Sequence, residues 1–375
     1  MQVRGRLVLG LVLATGAVLF AAGEGPAPMV IPLPSGAAGL ALAWTPKGEA
    51  LVVVYGTEDH SLWLRVVEIP KGHVRWEKRI GEIPRGDPRP PVITVCVSPD
   101  RDWIAVGSPW QISVFSSTGE LIWVYPVGLE ELPFLLRFLH ADDRSPPDYL
   151  ALVVARAERW GPPMLASPFA DITLEIRTTD ANWELNDDAP LGAWPLPIFT
   201  PLADYSGDGT LFAAAVMNPE TGAWLLGFLG GEAEEGVHYL TGLLEDAAEP
   251  TALAVSPDGR EVALGLGTHR PGEVPLIRRL DPVSGEELAA YFPCGEYQCF
   301  ISHLDWSPDG RHLAYSARAE GYFRLGTIDL ETGEETLLCQ GTDSTACPNV
   351  SPVFSPVGRF LVTLGKEGVV LWQVP

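Results

Sequence analysis

The sequence predicts an all-β fold, a seven-bladed β-propeller, and three observations lead to that prediction. Six short turn segments resemble one another, and the best preserved are Ser256-Pro-Asp-Gly259 and Ser307-Pro-Asp-Gly310. They recur about every 50 residues, with one interval about twice as long, and hydrophobic runs flank them. A second turn that ends in glycine, as in residues 329–333, recurs in phase with the first. This combination is typical of blades built from four antiparallel strands.

The long interval indicates a seventh, eroded copy near residue 144. Seven blades are therefore the main prediction, and six blades are the alternative. In the eroded copy, residues 134–139, 149–155 and 172–178 are predicted as strands because they alternate or are continuously apolar. The insertion at residues 156–170 marks either a working surface or a tolerated surface loop.

The best-preserved copy predicts how one blade is built. Its strands are expected at residues 301–306, 312–316, 322–330 and 334–338. In the turn after the first strand, Pro308 presets φ at the first corner and Asp309 tolerates the second corner. Gly310 supplies the left-handed conformation that returns the chain.

The last copy ends at its third strand, residues 369–374, without an outer strand. A strand-like run at residues 29–33 precedes the first full copy. We expect this N-terminal strand to complete the last blade, since pairing the two ends removes exposed sheet edges.

The turn sequences, together with Ile328-Asp-Leu-Glu-Thr-Gly-Glu334, resemble the WD40-like (PD40) repeat. That repeat occurs in the propeller of TolB-type periplasmic proteins and in prolyl-oligopeptidase-like peptidases. The resemblance covers most of residues 29–375 and is strongest in residues 250–340. We find neither the separate N-terminal α/β domain and six blades of the TolB family nor the hydrolase domain of the peptidases. The resemblance therefore implies an architecture and no particular activity.

The N-terminus predicts export. Arg4 and Arg6 precede an uncharged run at residues 7–22, and small residues at 21–23 suit cleavage. Residues 1–23 are read as a signal peptide or, alternatively, as an uncleaved membrane anchor, and residues 24–375 as a single propeller domain. We expect a periplasmic or extracellular protein that contacts a membrane only through an uncleaved N-terminal segment. The net charge of −23 argues against a nucleic-acid partner.

Four of the five cysteines fall at equivalent places in adjacent copies, between an outer strand and the next inner strand. In an exported protein, Cys294 with Cys299 and Cys339 with Cys347 are predicted as two local disulfides. Cross-pairing between the two loops and a zinc site that includes His303 are the alternatives. Cys96 is expected to be a free thiol in the core.

No nucleophile elbow, zinc-protease helix or phosphate-binding loop is present. Asp204, Ser206 and Asp208 are spaced as the first ligands of a calcium loop, but the closing acid is missing and the segment coincides with a repeat turn. We therefore predict no cofactor, with calcium as a weak candidate.

Several loops after second strands, and the cysteine loops, are expected on one face of the ring. Arginine and aromatic side chains there are candidate anchors for a partner or ligand, against the simpler interpretation that they are ordinary loop residues. The candidates are Trp110, Arg159, Trp160, His269, Arg270, Tyr297, Arg318 and Tyr322.

These observations predict an exported, non-catalytic propeller that binds another envelope protein or a small ligand. The alternatives are a lactonase- or lyase-like propeller enzyme that uses a metal, and a membrane-anchored envelope scaffold. The starts of the inner strands, such as Pro250-Thr-Ala-Leu253, carry few metal ligands, which disfavours the enzyme.

Overall fold

The structure is a computed structural model that consists of β-strands and their connections in the residues it describes. These are residues 28–87, 92–99, 103–139, 149–157, 172–179, 185–193, 202–207, 209–217, 224–230, 237–240, 249–267, 277–293, 299–319, 322–341, 351–365 and 368–374. Among them, no helix is long and apolar enough to cross a membrane. Residues 1–23, the predicted signal peptide or anchor, lie outside the described part.

The described strands form seven four-stranded antiparallel sheets, numbered here in chain order. Sheet 1 contains β2 (Ala38–Trp44), β3 (Ala50–Gly56), β4 (Ser61–Glu68) and β5 (His73–Glu82). Sheet 2 contains β6 (Thr94–Val97), β7 (Ile104–Gly107), β8 (Gln111–Phe115) and β9 (Leu121–Pro126). Sheet 3 contains β10 (Glu131–Leu139), β11 (Tyr149–Ala157), β12 (Ile172–Thr179) and β13 (Leu185–Ala193).

The other four sheets repeat this order, and the last one borrows a strand from the start of the chain. Sheet 4 contains β14 (Ala203–Tyr205), β15 (Leu211–Met217), β16 (Trp224–Gly230) and β17 (Val237–Leu240). Sheet 5 contains β18 (Glu249–Val255), β19 (Val262–Gly267), β20 (Ile277–Leu280) and β21 (Glu287–Tyr291). Sheet 6 contains β22 (Phe300–Trp306), β23 (His312–Ala319), β24 (Tyr322–Asp329) and β25 (Glu335–Gly341). Sheet 7 contains β26 (Val353–Phe354), β27 (Phe360–Gly365), β28 (Gly368–Gln373) and β1 (Met29–Pro32).

The first strand of each sheet lies innermost and contacts the first strand of the next sheet. Such contacts join β2 to β6, β6 to β10, β10 to β14, β14 to β18, β18 to β22 and β22 to β26. The ring closes because β2 also contacts β27 and β28 of sheet 7. The chain is therefore an all-β propeller, as the repeats predict.

The predicted ring closure by an N-terminal strand is confirmed. β1 pairs antiparallel with β28, from Met29 opposite Leu371 to Pro32 opposite Gly368. Ile31 is buried in a cluster that also holds Trp44 of sheet 1 and Val369 of β28. The first strand thus covers the outer edge of sheet 7 and joins its core.

The repeated turns have the geometry that their residues predict. Gly310 has a φ of 71° and Gly333, in the second kind of turn, has a φ of 75°. The Ser307 hydroxyl donates to Asp309 Oδ1 at 2.6 Å and accepts the backbone N–H of His312 at 2.8 Å. Because these bonds tie the hydroxyl to both sides of the turn, this serine has a structural role.

Second strands are the most deeply buried elements because neighbouring sheets cover both of their faces. Every residue of β3 and of β19 is buried. Trp44, Trp306 and Trp372 are also buried. The indoles of Trp44 and Trp306 donate hydrogen bonds to the carbonyls of Val353 and Ala254 in the preceding sheets.

Candidate functional site

The predicted partner face is described at only three of its eight residues. Trp110 lies between β7 and β8, is half-buried, and its carbonyl accepts the Val127 N–H at 3.1 Å. Arg318 is exposed on β23, with its guanidinium carbon 5.4 Å from the centroid of the Phe323 ring. Tyr322 begins β24. Because Trp110 and Arg318 belong to sheets 2 and 6, the described residues do not join them into one site.

The remaining candidates on that face lie outside the described residues, so a shared site there stays a prediction. They are Arg159, Trp160, His269, Arg270 and Tyr297.

The described cysteines comprise one free thiol and two disulfide-bonded residues, as the sequence predicts. Cys96 is a free, buried cysteine, and burial raises the pKa of its thiol to about 12. Cys299 and Cys339 are both buried and disulfide-bonded. Cys294 and Cys347 lie outside the described residues, so the assignment of partners stays a prediction.

In the candidate calcium loop, the described side-chain oxygens accept hydrogen bonds from backbone N–H groups. Asp204 Oδ1 accepts the N–H of Tyr205 at 2.8 Å, and Oδ2 accepts the N–H of Val255 at 3.0 Å. The Ser206 hydroxyl accepts the N–H of Leu211 at 2.9 Å. Asp208 lies outside the described residues. Within the part of the chain that the structure describes, no three His, Cys, Asp or Glu side chains are grouped to hold a metal ion.

Two half-buried carboxylates tie inner strands together, and sequence reasoning missed Asp305 and the role that it shares with Asp204. Asp204 links sheet 4 to sheet 5, and Asp305 links sheet 6 to sheet 7 by accepting the N–H of Phe354 at 2.6 Å. Both aspartates lie two residues before a turn serine. Their position in equivalent repeats is the sequence signal that could have indicated a shared role.

The surroundings of these carboxylates favour their neutral forms. Burial raises the pKa of Asp305 to about 8, and the negative charge of Asp204 raises it further, against the Phe354 N–H and the positive Arg137. Burial also raises the pKa of Asp204. Arg137 Nη2 donates to the carbonyl of Gly207 at 3.3 Å. The two aspartates can therefore hold a proton near neutral pH. Their hydrogen bonds to backbone N–H groups also link neighbouring sheets.

Two blades contain the same Tyr–Arg–Glu arrangement across their outer three strands. In sheet 6, Arg324 Nη2 lies 2.7 Å from Glu335 Oε1, which also accepts the Tyr315 hydroxyl. Sheet 1 repeats it with Tyr55, Arg65 and Glu77. Each carboxylate satisfies a guanidinium and a phenol at once, so the arrangement stabilises the blade and carries no sign of a ligand.

The outer strand of sheet 2 exposes an apolar, uncharged edge. Its sequence is Leu-Ile-Trp-Val-Tyr-Pro, and Leu121, Ile122 and Val124 have exposed fractions of 53%, 41% and 42%. Leu129, a few residues later, is 78% exposed. The other exposed large hydrophobic side chains of the described residues are spread over three other sheets, 5, 6 and 7, and the connections next to them. Within the described residues, exposed apolar groups are therefore most concentrated in this segment.

The other face of β9 packs against sheet 3 through two aromatic side chains. Trp123 and Tyr125 stack with ring centroids 5.9 Å apart and planes 16° apart. Both pack against a buried cluster that includes Leu136 and Phe138 of sheet 3. Side chains of a strand alternate between its faces, so packing of these two rings leaves Ile122 and Val124 on the opposite, open face.

The outer strands of sheets 1 and 5 are built differently. In β5, the charged residues are Arg75, Glu77, Lys78, Arg79 and Glu82. In β21, Glu287 pairs with Arg278 at 3.2 Å. Charged side chains on outer strands normally prevent edge-to-edge association, and β9 lacks them. We define β9 and Leu129 together as the β9 edge and take it as the candidate interaction site.

Comparison with known proteins supports the fold class. No family model matches the chain. Mouse echinoderm microtubule-associated protein-like 4 is 26% identical over 180 residues, which cover 48% of this chain and 16% of that protein. The chain thus spans a small part of the length of this curated relative.

Solved structures resemble nearly the whole chain. Oligogalacturonate lyase from Vibrio parahaemolyticus has a TM-score of 0.62 at 14% identity, over 92% of each chain. The β-propeller domain of Myceliophteria thermophila Cps50 (Swd1) has a TM-score of 0.58 at 12% identity, over 92% of this chain and 100% of that one. At these identities the similarity concerns the fold alone. The chain therefore has a β-propeller fold.

Proposed function

We propose that this protein is an exported interaction module, a single ring in which each of the seven sheets is one blade, and that it binds a partner protein through the β9 edge. A TolB-like role in the cell envelope is the form of this function that the repeat resemblance favours. The propeller supplies a rigid frame, and the partner recognises one outer edge of it.

The exposed apolar side chains of β9 are the observation that carries the proposal. Exposing Leu121, Ile122 and Val124 to water is unfavourable, and each contributes roughly 1–2 kcal/mol when fully covered. A chain with a net charge of −23 keeps most of its surface hydrated, and β9 combines the absence of charged residues with three exposed apolar side chains. Coverage by a partner explains why this strand lacks the charges found in β5.

The test compares two lysine substitutions at similarly exposed apolar residues on outer strands. Val124→Lys places a charge in the β9 edge, whereas Leu288→Lys does so in β21, where Leu288 is 46% exposed. We expect wild-type protein and the L288K variant to co-purify the same partner from the envelope fraction of the native host. The V124K variant should lose at least nine-tenths of it, because a buried, unpaired charge is costly.

Retention of the partner by folded V124K protein would contradict the proposal, as would equal loss in both variants. Circular dichroism of the purified variants is the control for folding. Mass spectrometry of the same wild-type preparation tests export, because cleavage after residue 23 leaves Glu24 as the first residue.

A propeller enzyme is the second candidate function. The observation in its favour is the half-buried pair Asp204 and Asp305, whose raised pKa values suit proton transfer. Both carboxylates also accept backbone N–H groups, which favours a structural role. Stoichiometric zinc, calcium or manganese in the purified protein would favour the enzyme over the interaction module.

A further inference from the structure

We propose that the partner contributes an extended, apolar strand with a basic residue at each end, and that this strand adds to β9 as a fifth strand of sheet 2. The inference rests on the proposed function and specifies the chemistry of the partner. It follows from three properties of the β9 edge: its open backbone, the alternation of its side chains, and the charges at its ends.

The backbone of β9 is available on one side. β9 is the last strand in the order β6–β7–β8–β9, so within the described residues only β8 pairs with it. The outer side of an edge strand presents N–H and C=O groups that another extended chain can bind. A six-residue strand is about 20 Å long, which matches a partner segment of about six residues.

The side chains of β9 select an apolar partner. On the open face, Ile122 and Val124 lie two residues apart, which is the spacing of alternate side chains on an added strand. The stacked rings of Trp123 and Tyr125 hold the other face against sheet 3. A charged residue in the middle of the partner strand would be desolvated here without a counter-charge, so an uncharged centre is favoured.

The ends of the β9 edge select basic residues. Glu120 is exposed immediately before β9, and Glu131, the half-buried first residue of β10, accepts the N–H of Gly128 just after β9 at 3.3 Å. The nearby Lys78 is engaged, because its Nζ donates to the Gly119 carbonyl at 2.9 Å. The two carboxylates, in a chain with a net charge of −23, favour a lysine or arginine near each end of the partner strand.

A second copy of this chain fits the edge less well. Two copies would each bring a net charge of −23. Pairing of two six-residue strands also covers far less than the roughly 1,600 Å² of a standard interface. A flexible strand from another protein avoids the repulsion between two acidic chains because it brings no large acidic body against the ring.

The experiment uses the purified protein and fluorescent peptides that represent the proposed strand. The probe has the sequence KVTITVTVK, and its counterpart EVTITVTVE reverses only the terminal charges. We expect anisotropy titrations to show at least tenfold tighter binding of the lysine peptide. The combined variant Glu120→Lys and Glu131→Lys should remove or reverse this preference, and V124K should weaken both peptides at least tenfold while L288K should not.

A third peptide tests whether the backbone pairs. KVTITVTVK with N-methyl groups on alternate amides keeps the side chains but loses the donors needed for a ladder. We expect it to bind at least tenfold more weakly, and we expect the unmethylated peptide to slow amide hydrogen exchange in residues 121–126. Equal binding of the methylated peptide, or equal binding of the lysine and glutamate peptides, would overturn the inference.

Other occupants of the edge give distinct results. A dimer of wild-type protein that is absent from V124K in sedimentation, or V124K-sensitive binding to phosphatidylcholine vesicles, would replace the partner strand by a second copy or by lipid. Loss of the native partner in V124K without peptide binding would reject this inference and leave the proposed function standing. Retention of the native partner in V124K would reject the proposed function itself.

Discussion

Single aspartates do two things in this ring: they bond neighbouring inner strands and they hold their protons unusually tightly. Asp305 accepts the Phe354 N–H of the next sheet, and Asp204 does the same for Val255. Burial raises the pKa of both carboxyls because a charge is poorly solvated between packed sheets. Stability should therefore depend on pH through these residues.

The sign of that dependence follows from the pKa of Asp305, which is about 8 in the folded chain and about 3.9 in an unfolded one. Between these values the folded state binds more protons, so the stabilising contribution is complete below about pH 4. It is lost as the pH rises through about 8. Asp204 acts in the same direction.

We predict that Asp305→Asn reduces the pH dependence of unfolding. Asparagine keeps an oxygen for the Phe354 N–H but has no proton to lose. Between pH 9 and pH 5 the wild type should gain about 1–2 kcal/mol more stability than D305N, a magnitude set below the full shift because the site is half-buried. Denaturant unfolding at the two pH values measures it. Equal pH dependence in the two proteins would show that Asp305 is ionised in the folded state.

At the scale of elements, the positions of the strands are determined by alternating apolar and polar residues and by the two kinds of repeated turn. The sequence predicts these positions better than any other feature of the molecule. The sequence predicts that the four strands of sheet 6 begin at residues 301, 312, 322 and 334. In the structure they begin at Phe300, His312, Tyr322 and Glu335. Even the eroded copy yields β10, β11 and β12 where apolar runs predict them. Local patterns suffice because each turn is built from neighbouring residues.

The closing strand β1 offers a matched pair of substitutions. Ile31 is 6% exposed and packs against sheets 1 and 7, whereas the adjacent Val30 is 49% exposed. We predict that Ile31→Ala lowers the free energy of unfolding by about 2–4 kcal/mol and that Val30→Ala changes it by less than about 1 kcal/mol. Thermal and denaturant unfolding would measure both. Similar, small effects of the two substitutions would mean that β1 does not close the ring.

At the scale of the whole molecule, the sequence predicts the ring but not its contact surface. The bond from Asp204 to Val255 joins residues 51 positions apart, which no local pattern reveals. The run Leu-Ile-Trp-Val-Tyr-Pro is typical of a buried strand, and only its place at the rim exposes it. The expected shared face and the residue types made Trp110 and Arg318 candidates, but the two residues lie in different sheets.

The most direct measurement of the central claim is site-specific photo-crosslinking in the native host. One photoreactive residue is placed in turn at Val124 in the β9 edge, at Arg318 among the predicted loop candidates, and at Leu288 on the control strand β21. We predict an adduct with a partner protein at Val124 and none at Leu288. An adduct at Arg318 without one at Val124 would contradict it and move the contact surface to the loops.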